Sequence, residues 1–574
     1  MQKEEIKEKI EEFRITYLGE EWCWRSGQQE AVLEIIQAYK SNVKTVILDA
    51  PTGSGKSVVG TAVAYILNKE ENKHGFILSS DLSLQEQYEK DFKRFNIDYG
   101  SIKGIDNYLC IDNNEKNSLG TCRIRNKAPK RMYCYNQCPY FMARDKAANS
   151  PTALLNYSYF LIHMNYVNQH MEEPIFEPRD FCICDEGHKI LDIVQNHFSP
   201  RFDPKTIEKL EKIVYFFDTY KIRNHYKDFY EIKTNIGKLF DTENQDELLS
   251  LLSNIELSFE ELITSWHVLK DKTSKEYPHD DPPKAWKDAL RLCDWMKDLH
   301  CKVEDYVDII KVTSTRNLVK NPTGEDELTF NCLEESYMMQ KYFHQWTGFT
   351  VLMSATFADP SDYMRSIALG KAKYIKMSSN FNFEKSPIYF YNKRRMSYAQ
   401  IKENLPWLYE KIDEILDKHK NENGIIHTAS YDLMTKIFNN ISKRQRKRIL
   451  VYNGTEEKKQ FLNDLKRGKN KVLIGPSLLE GLDLSQDISR FCIFVKVPYM
   501  SLTDKFVATK LKIDAKWYQQ KAIMSILQGT GRSIRSQNDY AITYILDACF
   551  GDLLHQNRKA FPDEFIQRLR IIDE

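Results

Sequence analysis

The 574-residue chain has no apolar run near the roughly 18–20 residues needed to cross a bilayer. Its opening residues, Met1-Gln2-Lys3-Glu4-Glu5, begin a charged helix where a signal peptide would carry its apolar core. A membrane-spanning or secreted protein is therefore not expected, and a cytoplasmic location is. Net charge is nearly absent as well: 82 Lys and Arg against 81 Asp and Glu leave +1. Any contact with a polyanion must then come from local basic surface, because the whole chain sets up no cationic field. Low-complexity linkers and internal repeats are missing, as are the close Cys-x-x-Cys pairs of a zinc ribbon. In a reducing compartment the twelve cysteines are expected as thiols or metal ligands and not as disulfides.

With 42% hydrophobic and 28% charged residues the composition is that of a globular protein. The length exceeds what one core supports, so three or four domains are expected. Short apolar strands are read at Val43–Ala50, Gly75–Ser80 and Phe181–Cys184, each followed by turn or helix signals. This alternation implies an α/β fold with a parallel sheet flanked by helices. Residues 103–146, rich in Cys, Asn, Lys and Arg, interrupt it, and 200–345 carry the Leu and aromatic spacing of a helical insertion. The sheet resumes at Thr350–Thr356. A second α/β domain, 385–574, is read from the strands Pro387–Tyr391, Gly424–Thr428, Lys471–Gly475, Phe491–Val495 and Ala541–Asp547. The first domain thus comprises 1–102, 147–199 and 346–384.

Ala50 to Ser57, with Gly53-Ser54-Gly55-Lys56-Ser57 between a strand and a helix, has the features a phosphate chain needs. Glycines let backbone N–H groups approach, and a helix N-terminus favours the anion. Lys56 is expected at the β- and γ-phosphates and the Ser57 hydroxyl at Mg2+. Asp185, ending an apolar strand, is expected to hold Mg2+ through water, and Glu186 to orient and deprotonate the attacking water. Arg532 and Arg535, three apart after Gln528-Gly529-Thr530-Gly531, share a helix face and are candidate arginine fingers. These features together describe an ATP-hydrolysing motor.

Cys110, Cys122, Cys134 and Cys138 are separated by 11, 11 and 3 residues. Four thiolates can bind one metal centre, and this irregular spacing leaves an iron–sulfur cluster, zinc and unliganded thiols all open. Within 103–146, nine Lys or Arg stand against four Asp or Glu, interleaved with Tyr and Asn, a surface suited to phosphates and stacked bases.

The ordered motifs resemble the superfamily 2 DNA helicases of the XPD and DinG type over nearly the whole chain. Arg25-Ser26-Gly27-Gln28 looks like the adenine-reading element, and Leu82-Ser83-Leu84-Gln85-Glu86-Gln87 is similar to the DNA-contacting motif Ia. Lys103-Gly104-Ile105-Asp106-Asn107-Tyr108-Leu109-Cys110 resembles the approach to the first cluster ligand. Asp185-Glu186-Gly187-His188 looks like a DEAH-type box with Gly for Ala. Ser354-Ala355-Thr356 matches motif III, Glu480-Gly481-Leu482-Asp483-Leu484 resembles motif V, and Gln528 to Arg535 resembles motif VI. The resemblance implies two RecA-like P-loop motor domains, the first carrying an iron–sulfur insertion and a helical arch. It implies ATP, Mg2+ and a [4Fe-4S] cluster on the four cysteines, with Gly481 and Asp483 at the nucleotide and His188 coupling hydrolysis to DNA binding. It further implies 5′ to 3′ translocation on single-stranded DNA and unwinding of forked duplex, with a DNA–RNA hybrid as an alternative substrate. A nucleic-acid-bound switch that uses ATP without unwinding is the rival reading. A helicase-nuclease is not expected, since only about 45 residues precede the first motor strand.

Overall fold

The computed structural model describes residues 3–51, 53–124, 130, 132–167, 174–278, 282–310, 314–320, 326–367, 372–377, 383–451, 464–465, 468, 470–476, 478, 488–531 and 539–574. The strands of the first half are β1 (Thr45–Asp49), β2 (Gly75–Ser79), β3 (Gly100–Ser101), β4 (Thr152–Asn156), β5 (Arg179–Asp185), β6 (Arg201–Phe202), β7 (Ser314–Lys320), β8 (Asp326–Cys332), β9 (Thr347–Ser354) and β10 (Ala372–Lys376). Those of the second are β11 (Ile388–Tyr391), β12 (Gly424–His427), β13 (Ile449–Val451), β14 (Val472–Gly475), β15 (Phe491–Phe494), β16 (Ile542–Ile545) and β17 (Leu569–Ile572).

Two seven-stranded parallel sheets result, in the orders β10-β1-β9-β5-β2-β4-β3 and β13-β14-β12-β15-β16-β11-β17. Every residue of β1 and β2 is buried, as expected of central parallel strands covered by helices on both faces. In the first sheet β9 lies between β1 and β5, with Asp49 beside Ser354 and Asp185 beside Met353. The carboxyl ends of three adjacent strands therefore deliver the P-loop, motif III and Asp185 to one place, where ligands bind in open α/β sheets. The N-terminal helix Lys3–Phe13 buries Ile6, Ile10 and Phe13, one face at helical spacing, in the core shared with the helix that follows the P-loop.

The insertion between β5 and β9 contains the helices Pro204–Thr219, Tyr226–Asp241, Gln245–Glu276 and Lys284–Ile309. The longest buries Leu248, Leu252, Ile255, Phe259, Leu262, Trp266 and Leu269 along one stripe. Sequence patterning does not anticipate the antiparallel sheet β6-β8-β7 at the base of this insertion. Nor does it anticipate the helix Glu335–Tyr342, whose buried Glu335 accepts from Trp517 Nε1 at 3.1 Å and pairs with Lys510 at 3.5 Å across to the second domain. Among the described residues no helix is long and apolar enough to cross a membrane.

Candidate nucleotide site and cysteine centre

The P-loop is fixed by its own backbone. Ala50 N donates to Ser354 O at 2.8 Å, tying the start of the loop to β9. Gly53 and Gly55 take φ of 78° and 81°, the left-handed region that glycine alone enters freely. A Cβ on Gly55 would also lie 2.3 Å from Gln28 Nε2. The helix Lys56–Glu71 begins immediately afterwards, so Lys56 and Ser57 lie in its first turn beside unpaired N–H groups. Gln28, fully buried, donates from Nε2 to Ser54 O at 2.8 Å and to Gly55 O at 3.3 Å, while its Oε1 accepts from Arg25 N at 2.8 Å. The Arg25 guanidinium donates to Gly53 O. Arg25 and Gln28 therefore brace the P-loop directly.

Asp49, the residue before the loop, is buried, and its carboxylate accepts from Tyr374 Oη at 2.9 Å. Burial pushes its pKa up to about 6, with the Tyr374 bond and Lys376 pulling it back. A carboxyl whose pKa is raised on folding binds more protons folded than unfolded, so its contribution to stability falls as pH rises from about 4 through about 6. Asp49→Asn is expected to remove that loss. Relative to the parent, its melting temperature gains more at pH 7.5 than at pH 5, a difference on the order of 1–2 kcal/mol. An equal offset at both pH values in thermal scans contradicts the assignment.

Asp185 is buried at the end of β5, and burial pushes it up to about 6, Lys56 pulling it down and Glu186 adding to the rise. Two tyrosines hold it: Tyr88 Oη donates to Oδ2 at 3.0 Å, and Tyr157 Oη donates to the main-chain carbonyl at 2.9 Å. Glu186 sits at φ 51°, a left-handed conformation that costs a non-glycine residue about 1–2 kcal/mol. That turn carries its carboxylate to 3.5 Å from Lys56 Nζ. A Cβ on Gly187 would meet Leu352 Cβ at 3.1 Å and Cα at 3.2 Å on β9, a close approach that glycine avoids.

His188 joins the two motor domains. Gln528 Nε2, which can only donate, lies 2.7 Å from His188 Nε2, leaving the ring proton on Nδ1, 2.7 Å from Ser354 Oγ. Ser354 Oγ in turn donates to Thr356 O at 2.9 Å. Burial lowers the His188 pKa to about 4, so the ring is neutral, as this chain of bonds requires. Gln528 lies on the helix Ala515–Gly531, which also sends Gln520 to Asp359 N at 3.0 Å and Lys521 to Asp192 at 2.5 Å. The structure thus brings together Arg25, Gln28, Gly53, Ser54, Gly55, Lys56, Ser57, Asp185, Glu186, His188 and Gln528. Gly481, Asp483, Arg532 and Arg535 lie outside the described residues.

Cys110, Cys122, Cys134 and Cys138 are all buried and none is in a disulfide. Burial pushes the Cys122 thiol up to about 11; Arg123 opposes the rise, while Cys110, Cys138 and Cys134 each add to it, so the four lie in one neighbourhood. Asn117 Nδ2 donates to Cys138 Sγ at 3.3 Å, and Cys138 caps the helix Pro139–Asn149. Among the described residues, the one His/Cys/Asp/Glu group with ligand atoms within 4.8 Å of one another is His300, Cys301 and Glu304, on a helix of the insertion.

Several residues central to this arrangement carry no motif signal. Tyr88 and Tyr157 read as core aromatics. Gln85, inside the motif Ia string, is fully buried and donates to Ile102 O at 2.9 Å, so it braces β3 and β4 instead of facing a ligand. Arg179, at the start of β5, donates to Ala147 O, Ala148 O, Ser150 O and Gly75 O at 2.8–3.0 Å, clamping the end of the cysteine-capped helix to the sheet.

The fold and the site define a two-domain P-loop motor, and comparisons with known proteins agree. The helicase C-terminal domain family matches residues 412–567, and the type III restriction enzyme res subunit family matches 21–222. A probable ATP-dependent helicase of Methanocaldococcus jannaschii is 21% identical over 92% of each chain. The ATP-dependent DNA helicase CHL1 of Candida albicans is 31% identical over 15% of this chain and 12% of that protein. Among solved structures, an XPD helicase matches with a TM-score of 0.62 at 15% identity, covering 95% of this chain and 99% of that one. S. tokodaii Xpd4 matches at 0.59, 14% identity and the same coverage. The family matches and the relative together support an ATP-dependent helicase built on two RecA-like domains. Its fold is XPD-like over 95% of the chain.

Proposed function

We propose that this helicase translocates 5′ to 3′ on single-stranded DNA and opens forked duplex or a DNA–RNA hybrid. ATP binds between the motor domains, with Arg25 and Gln28 at the adenine, Gly53 to Lys56 at the phosphates, and Ser57 and Asp185 at Mg2+. Glu186 activates the attacking water, and Gly481, Asp483, Arg532 and Arg535 complete the site from the second domain. Cys110, Cys122, Cys134 and Cys138, four buried thiols of one segment, would hold a [4Fe-4S] cluster that would rigidify the segment meeting the fork. The basic, aromatic character of 103–146 favours DNA bound there by backbone contact and stacking.

One observation carries this reading. A cavity of about 800 Å³ lies between the motor sheet and the cysteine segment, lined by Ser80 and Asp81, by Leu82 at the start of motif Ia, and by Arg123, Arg144, Tyr140, Phe141 and Tyr159. It offers cations for phosphates and ring faces for bases, as a single-strand path requires. Arg123, exposed and stacked over Tyr140 with its guanidinium carbon 5.7 Å from the ring centre, is free to meet a phosphate. Arg123→Ala is expected to weaken binding of a labelled single strand several-fold in low salt. It should also flatten the dependence of log affinity on log salt by about 0.7, the loss of one phosphate contact. An unchanged slope in fluorescence anisotropy contradicts this path.

A further inference from the structure

Two elements form the motor-domain wall of this cavity, and each sends a buried tyrosine to the same aspartate. The first is the helix Leu82–Arg94, whose N-cap Asp81 and first residue Leu82 line the cavity and whose buried Tyr88 donates to the Asp185 carboxylate. The second is the helix Tyr157–Ile162. Its cap Asn156 and its Ser158, Tyr159 and Ile162 line the cavity, while Tyr157, between two wall residues, donates to the Asp185 carbonyl. Both tyrosines are buried, and each directs its hydroxyl to Asp185.

We infer that Tyr88 and Tyr157 are positioning residues that couple occupancy of the strand cavity to the magnesium-holding geometry of Asp185. A single strand pressing on Asp81–Leu82 and Asn156–Tyr159 shifts two short rigid helices. The two tyrosine hydroxyls then set the carboxylate orientation and the main-chain position of Asp185. No other route of this length is needed, because wall and carboxylate are separated by less than two helical turns of Leu82–Arg94 in one case and by a single residue in the other. Partners that orient a metal ligand from behind typically govern metal affinity by 10–100-fold. Thermodynamic linkage then requires the magnesium nucleotide to alter strand affinity by the same factor with which the strand alters magnesium affinity.

The inference rests on the strand path proposed above, and its test separates the two. The Mg2+ concentration that half-saturates binding of a fluorescent non-hydrolysable ATP analogue is measured with and without a saturating thymidylate oligomer. In the parent, the oligomer is expected to lower that midpoint at least three-fold. In Tyr88→Phe and Tyr157→Phe, which keep the rings and their packing, the midpoint without strand is expected to rise roughly tenfold. The shift caused by the strand should shrink in each single variant and vanish in the double, while oligomer affinity without nucleotide stays at the parental value. A double variant that keeps the parental shift overturns the coupling, as does a parent whose midpoint ignores the strand. A parent that does not bind the oligomer at all overturns the strand path instead. Should the double variant fail to fold, the two single variants carry the same comparison.

Discussion

Lys56→Ala and Glu186→Gln are each expected to lower ATP turnover by roughly a hundredfold or more, for different reasons that binding measurements separate. Lys56 stands in the first turn of the P-loop helix, aimed across 3.5 Å at Glu186. Truncating it removes the cation that meets the β- and γ-phosphates, so affinity for an ATP analogue falls together with turnover. Glu186→Gln keeps side-chain length, the bond from its N–H to Asp185 Oδ1 at 2.9 Å and the left-handed backbone, and discards only the basic oxygen. Its nucleotide affinity is therefore expected near the parental value while phosphate release stops. The Glu186 carboxylate also lies 3.4 Å from His188 Nδ1, while the His188–Gln528 contact is made from the other ring nitrogen. Phosphate release beside analogue binding makes the check, and retained turnover in either variant removes these residues from the chemistry.

The second large effect concerns the cysteines. Cys134→Ser is expected to abolish iron content, the visible thiolate-to-iron absorption and strand separation, while part of the ATPase activity survives. The physical basis is the separation of the two sites within one sheet. The nucleotide groups stand at the ends of β1, β9 and β5, whereas the four thiols sit in the segment between β3 and β4. They are linked through the helix Pro139–Asn149 and the Arg179 clamp. Losing one ligand loosens that helix and its cavity residues Tyr140, Phe141 and Arg144 without touching the P-loop. Metal analysis of anaerobically purified protein decides the centre. Full unwinding without iron, or stoichiometric zinc in the parent, contradicts the cluster.

What the sequence made legible and what it hid divide along physical lines. β1, β2, β5, β9, β12, β14, β15 and β16 are short apolar runs because both faces are covered, and such runs stand out in a charged chain. The P-loop and Asp185-Glu186 follow two of those runs, so the motor was readable locally. Less readable were the short or edge strands β3, β10, β13 and β17 and the antiparallel β6-β8-β7, whose existence depends on partners far away in the chain. The same holds for the tyrosines at Asp185. Nothing local distinguishes Tyr88 from the neighbouring core residue Phe92, and only the fold reveals that one of the two points its hydroxyl at a carboxylate 97 residues away. Gln85 shows the converse, a motif residue whose resemblance suggested strand contact and whose side chain is spent on the sheet. Arg25 and Gln28 were legible as a nucleotide element, but their bonds to P-loop carbonyls appear only in three dimensions.

The central claim is a motor that moves along one strand in one direction and opens duplex ahead of it. The most direct measurement is strand displacement by the iron-loaded full chain on two duplexes of identical sequence, one with a 5′ and one with a 3′ single-stranded tail, with Glu186→Gln as the control. The account predicts ATP-dependent displacement from the 5′-tailed duplex, little from the 3′-tailed one, and none by Glu186→Gln on either. Vigorous strand-stimulated ATP hydrolysis with no displacement from either substrate would contradict it and leave a nucleic-acid-bound switch in its place.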